Sequence, residues 1–151
     1  MVKTLLLASA FLGAITPAFA AATIDPNNAI ALTPDQIQWT KGEASDQAWP
    51  IGARDKAGPC LELIKWHAGH FSRPHYHSRA RYAVVMEGTW WVSTSTTYDP
   101  ANLTLPFPKG SVLTDLVKGT HYDGAKPETG DATIAIFMEC PLDATSTEVK
   151  K

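Results

Sequence analysis

The chain has 151 residues, with 13 Lys and Arg against 15 Asp and Glu and a formal net charge of −2. That balance supplies no basic field to hold phosphates, so nucleic acid is excluded as a partner. Beyond the first 20 residues no run is apolar for long enough to span a bilayer.

Residues 1–20 combine a short positive region at Lys3, an apolar run from Leu5 to Ile15 and the small-x-small signal Ala18-Phe19-Ala20. This pattern predicts a secretory signal peptide cleaved after Ala20, hence a periplasmic or secreted protein with no membrane partner after cleavage. A membrane anchor fits less well, because Pro17 ends the apolar run early. The remainder, about 130 residues, is the size of a single domain.

Residues 21–57 read as an N-terminal arm. Thr33, Pro34 and Gln36 set a helix start with a capping box, and the short helix ends by Trp39. From there Gly42, Pro50, Gly52, Gly58 and Pro59 break the text into an ordered loop or a pair of short edge strands.

From residue 58 to 142 the pattern turns to short runs rich in Val, Ile, Thr and aromatic residues, at 60–67, 81–86, 89–97, 111–117 and 133–140. Breaks fall at Gly69, Gly88, Asp99-Pro100, 106–110 and 126–130. Helical crossovers are absent from the pattern, which predicts an all-β sandwich or small barrel instead of a parallel sheet. Residues 143–151 are small and polar, and read as a flexible tail. The only two cysteines, Cys60 and Cys140, would meet an oxidising compartment on export. Both a disulfide and two small buried thiols are compatible with that. Neither lies at CxxC spacing from another cysteine, so a redox motif or cysteine zinc site is unsupported.

The chemistry concentrates in Gly69-His70-Phe71-Ser72-Arg73-Pro74-His75-Tyr76-His77. Two histidines spaced by two on an extended chain share a face, about 6.6 Å apart at Cα, and their rings can meet one ion at about 2.1 Å. His121, after a further strand and the Gly119 turn, can reach the same point from across a barrel. His67 and His70 do not share this spacing and read as structural.

The run Gly69, His75, His77, position 81 and Gly88 resembles the first motif of the cupin superfamily, and Gly110 through His121 is similar to its second. The surrounding Pro74-His75-Tyr76-His77 and 85–92 look like small exported single-domain cupins. The resemblance implies a double-stranded β-helix, or jelly-roll barrel, over roughly 58–142, with one divalent metal (Fe, Zn, Mn, Ni or Cu) on His75, His77 and His121. Where the family usually carries a glutamate ligand this chain has Arg81, and Leu116 stands for the usual proline of the second motif. Three-histidine sites without the acid occur in the superfamily among iron-dependent dioxygenases.

Arg81 shares strand parity with His75 and His77 and is expected to face the lumen unless a bulge intervenes near Ser78. A guanidinium about 6 Å from a divalent ion is repelled by roughly 5 kcal/mol at an effective dielectric near 20. Pairing with Glu62, Asp115 or Glu139 would offset that, as would an anionic ligand for which Arg81 acts as anchor. Of the neighbours Trp90 and Trp91, one faces in and one out, and Glu87 reads as a hairpin-edge charge. Two functions fit. One is a metal-dependent dioxygenase, lyase or isomerase acting on a small oxygenated or anionic molecule; the other is a non-catalytic module that binds or senses a small ligand or metal. Exposed strand edges allow a homodimer.

Overall fold

Residues 23–149 are described in a computed structural model of the chain. The predicted signal peptide and its cleavage point lie outside them. Two compact units divide between Ala31 and Leu32. The described part of the first is a turn in which the Asp25 carboxylate accepts hydrogen bonds from Asn27 and Asn28.

The second unit opens with the expected capped start, shortened to one 3-10 turn at Pro34–Gln36, where the Thr33 amide donates to Gln36 Oε1 at 2.9 Å. Ten strands follow: β1 (Ser45–Ile51), β2 (Gly58–Trp66), β3 (His75–Tyr76), β4 (Arg81–Glu87), β5 (Thr89–Ser93), β6 (Leu105–Pro108), β7 (Val112–Asp115), β8 (Tyr122–Gly124), β9 (Ala132–Cys140) and β10 (Thr145–Ser146). A five-stranded sheet runs in the order β1-β2-β9-β4-β7, a three-stranded sheet in the order β6-β5-β8, and β3 pairs with β10. All pairings are antiparallel. The all-β jelly-roll expectation therefore holds.

Alternation decides which faces meet. Along β4, Arg81, Ala83 and Val85 are buried while Tyr82, Val84 and Met86 are exposed. Along β9, Ile134, Ile136 and Met138 are buried between exposed or half-exposed neighbours. Period-two burial is what a sheet with one face on the core requires. Trp90 is fully buried in that core, and Trp91 turns outward, with its indole N–H on Thr129 Oγ1 at 3.0 Å and the Lys126 ammonium over its ring at 4.0 Å. Gly88 makes the tight turn from β4 to β5. Its φ is +73°, and a Cβ there would sit 2.2 Å from the Asp131 carbonyl oxygen, so no other residue fits.

Two sequence readings need correction. Residues 106–110 were expected to be a break, yet β6 carries Pro106 and Pro108; it is an edge strand, where a missing N–H is tolerated. Residues 143–149, read as a flexible tail, are held in place. Thr145 and Ser146 pair with Tyr76 and His75, Thr147 donates to the Pro74 carbonyl at 2.9 Å, and Glu148 forms a salt bridge with Arg73. Small polar residues gave no strand period over so short a pairing. Cys60 and Cys140 form a disulfide, which resolves the alternative left open by the sequence.

Candidate metal centre

The strand geometry delivers three imidazoles to one point. His75 and His77 leave β3 and the turn after it on the same side, and His121 reaches them through a backbone bridge in which His75 and His121 exchange N–H···O bonds of 2.9 and 2.8 Å. One ring nitrogen from each lies within 4.8 Å of the others. His77 and His121 are buried and His75 is partly so.

The opposite ring nitrogen of each histidine meets a backbone carbonyl: His75 Nδ1 that of Arg73 at 2.7 Å, His121 Nδ1 that of Gly119 at 3.1 Å, and His77 Nδ1 that of Asp143. A carbonyl only accepts, so these contacts fix the proton on Nδ1 and leave each Nε2 with a lone pair turned inward. His75 Nε2 and His77 Nε2 are 3.1 Å apart. Two lone pairs facing at that distance are unfavourable on their own, and the spacing suits two nitrogens bound side by side on one ion at about 2.1 Å. Burial lowers the pKa of His75 and lowers that of His77 to about 4, with the Arg81 charge adding to the effect at His77. Neutral imidazole is the metal-binding form. The donor set fits a divalent ion.

No family model matches the sequence, nor does any curated protein. Solved structures do. The polyketide cyclase RemF of Streptomyces resistomycificus superposes with a TM-score of 0.64 at 12% identity, over 82% of this chain and 88% of that one. A sugar phosphate isomerase from a cupin superfamily of Silicibacter pomeroyi gives 0.58 at 14% identity, over 74% and 76%. A cupin-2 domain of Rhodospirillum rubrum gives 0.58 at 10% identity, over 82% and 81%. The chain has the cupin fold.

Within this fold the residue at position 81, where the resemblance in sequence implies a glutamate, is accounted for. Arg81 is buried, with no bulge turning it outward, and its Nε and Nη2 both donate to Asp115 Oδ2, at 2.9 and 2.6 Å. Asp115 was one of the three expected partners. Nη2 also sits 3.2 Å from His121 Nε2, the atom that faces the other two histidines. Guanidinium has no lone pair, so Arg81 donates and occupies the electron pair a metal would use. Arg81→Met is therefore expected to raise metal affinity several-fold while lowering the melting temperature of the metal-free protein, because it leaves Asp115 buried without its partner. Calorimetric titration and thermal unfolding of the same variant check both halves; weaker metal binding would show that Arg81 supports the centre.

Beside His75 and His77 the barrel holds a cavity of about 450 Å³ lined by His75, His77, Arg81, Asp123, Glu62 and Arg54 at its polar end and Ile64, Trp66, Ile136 and Leu142 on its apolar wall. Sequence reading had placed no acid or base beside the histidines apart from partners for Arg81. Asp123 is the residue it missed, although it shares parity with His121 two residues earlier. Its carboxylate accepts from Ser72 Oγ at 3.4 Å, and burial raises its pKa. A second cavity of about 490 Å³, walled by Leu103, Leu105, Phe107 and Leu113, touches His121 and Asp115 but neither His75 nor His77. His67 bonds Asp46 and the Glu43 carbonyl, and His70 packs edge-on against it; neither lines the lumen.

Proposed function

We propose that this cupin is a metal-dependent lyase or isomerase acting on a small oxygenated, anionic molecule in the 450 Å³ cavity. The carrying observation is that His75, His77 and His121 bring one ring nitrogen each within 4.8 Å of one another, and that His75 and His77 share their cavity wall with two carboxyl groups, those of Glu62 and Asp123. A divalent ion bound there is a Lewis acid that polarises a carbonyl or phosphoryl oxygen. His75, His77 and His121 hold it. Arg81, whose Nη1 has no hydrogen-bond partner among the described residues, and Arg54 supply positive charge toward an anionic group. The apolar wall of Trp66, Ile64 and Ile136 keeps water from the reacting atoms. Titratable groups beside a metal-binding cluster favour catalysis over passive ligand storage. Among the solved cupin structures are ones described as an isomerase and as DMSP lyases, in keeping with this class.

The test is metal analysis of protein from its native compartment, followed by a screen of small carbonyl acids with an oxygen electrode running alongside. Turnover without oxygen uptake is expected. Oxygen consumption would support a dioxygenase instead, and tight ligand retention without turnover would support a binding module. We also propose export, because the Cys60–Cys140 disulfide is of a kind that persists in oxidising compartments. An intact mass still counting from Met1 after expression in a secreting host would refute it.

A further inference from the structure

We infer that Glu62 is the proton carrier of this site, taking a proton from a carbon next to the carbonyl of a small 2-oxo acid or similar carbonyl acid. The inference rests on the reading of a metal-dependent lyase or isomerase given above.

Glu62 sits near the middle of β2 with its side chain turned inward, between Cys60 and Ile64, and is 3% exposed. Its β9 partner in register is Ile136, which also lines the cavity. A buried carboxyl is normally tied up in hydrogen bonds or an ion pair. Glu62 has neither among the described residues, and it lines the cavity that His75 and His77 line. The other two acids of the site are committed. Asp115 holds Arg81, and Asp123 holds Ser72 and lies two residues from His121. The Glu62 carboxylate does not join the cluster of metal-ligating atoms. A group that shares a cavity with His75 and His77 but stands off from the cluster of ligating atoms faces the substrate, not the ion.

The surroundings suit a carboxyl that gains and loses a proton. Desolvation raises its pKa, and the charges of Arg81 and Arg54 pull it back while Asp123 pushes it up. Within the cavity β1 contributes the uncharged Gln47, the register partner of Ile64, and the β9 partner of Glu62 is the apolar Ile136. A carboxyl poised this way is a better match to proton transfer near neutral pH than a free one. Arg54, an exposed cavity residue without a salt bridge among the described residues, is placed to hold the substrate's carboxylate.

The step balances within the substrate and Glu62. The carboxylate takes a proton from the carbon beside the carbonyl, so that a C–H bond breaks and an O–H bond forms on Glu62. The C–H electron pair moves into the carbonyl to give an enolate. Glu62 then returns the proton to a neighbouring atom, or the enolate expels a leaving group from the next carbon together with its bonding pair and Glu62 gives its proton to that departing group.

The experiment follows deuterium entering the methyl group of pyruvate in D2O by proton NMR, using the protein loaded with the ion it purifies with. The parent is expected to catalyse exchange and Glu62→Gln to slow it at least 100-fold, within the usual reach of acid–base catalysis. Metal stoichiometry and pyruvate affinity of Glu62→Gln should stay unchanged. Arg54→Met should weaken pyruvate binding about tenfold. An activity-free readout accompanies it: infrared titration of the metal-free parent should show a carboxyl band that Glu62→Gln lacks. Exchange at the parent's rate in Glu62→Gln, absence of that band, or a metal-loaded parent that does not exchange pyruvate overturns the inference and leaves the metal centre standing. A parent that binds no metal overturns the function proposed above, and this inference with it.

Discussion

His75→Ala and His77→Ala are each expected to cut metal affinity by more than 100-fold, and the double variant to abolish stoichiometric binding. Each change removes a donor outright, while altering even an outer-shell partner typically costs 10–100-fold. His121→Ala should weaken binding less, because in the metal-free state its Nε2 is already engaged by Arg81. Metal retained at one per chain by the double variant would place the centre elsewhere. The same residues give a pH signature. With its folded pKa near 4 against about 6.5 when unfolded, His77 favours the fold above pH 6.5, and that contribution is lost as pH falls toward 4. Acidifying the metal-free parent from pH 7 to 5 should cost about 2 kcal/mol from this residue alone. His77→Ala should lose correspondingly less over the same interval. Glu62 and Asp123 act with the opposite sign, since burial raises their pKa values, so the comparison of parent with variant, by denaturant titration, is what isolates His77.

Breaking the Cys60–Cys140 bridge is the second large effect. The bond joins the adjacent strands β2 and β9 across a sequence separation of 80 residues, and both cysteines are buried. In the chain-entropy account a loop of that length stabilises the fold by about 4.5 kcal/mol. Cys60→Ala with Cys140→Ala should therefore lower unfolding free energy by several kcal/mol, measured in urea against the oxidised parent. A difference under about 1 kcal/mol would mean that the two strands are held in register without it. The bridge also anchors the chain just before Asp143, whose carbonyl receives the His77 ring N–H, so metal affinity should fall in the same variant.

The barrel was legible because short runs of β-branched and aromatic residues are separated by turn residues. Residues 81–86 and 133–140 are such runs, and they form β4 and β9 almost as read. The pair His75 and His77 was legible from its spacing by two, and strand parity was enough to turn Arg81 inward. What the sequence hid has physical causes as well. A two-residue strand such as β3 or β10 is too short to show a period, so the pairing that orders residues 143–149 left no trace. Proline suggested a break at β6, and only its edge position makes the strand tolerable. Glu62 was visible only as one of several partners for Arg81, because its lack of a hydrogen-bond partner depends on which elements pack around it. The choice of Asp115 over Glu62 and Glu139 was set by β4–β7 pairing, which places Arg81 opposite Asp115.

The pairing of β10 with β3 has a consequence for how the protein is made. A polypeptide grows from its N-terminus, and folding units close in that order where they can. His75, His77 and His121 all precede the segment that supplies the Asp143 carbonyl to His77 and the strand partner to His75. The candidate centre is thus completed by residues synthesised after all three of its histidines. A nascent or C-terminally trimmed chain can own every ligand and still lack the contacts that aim two of them.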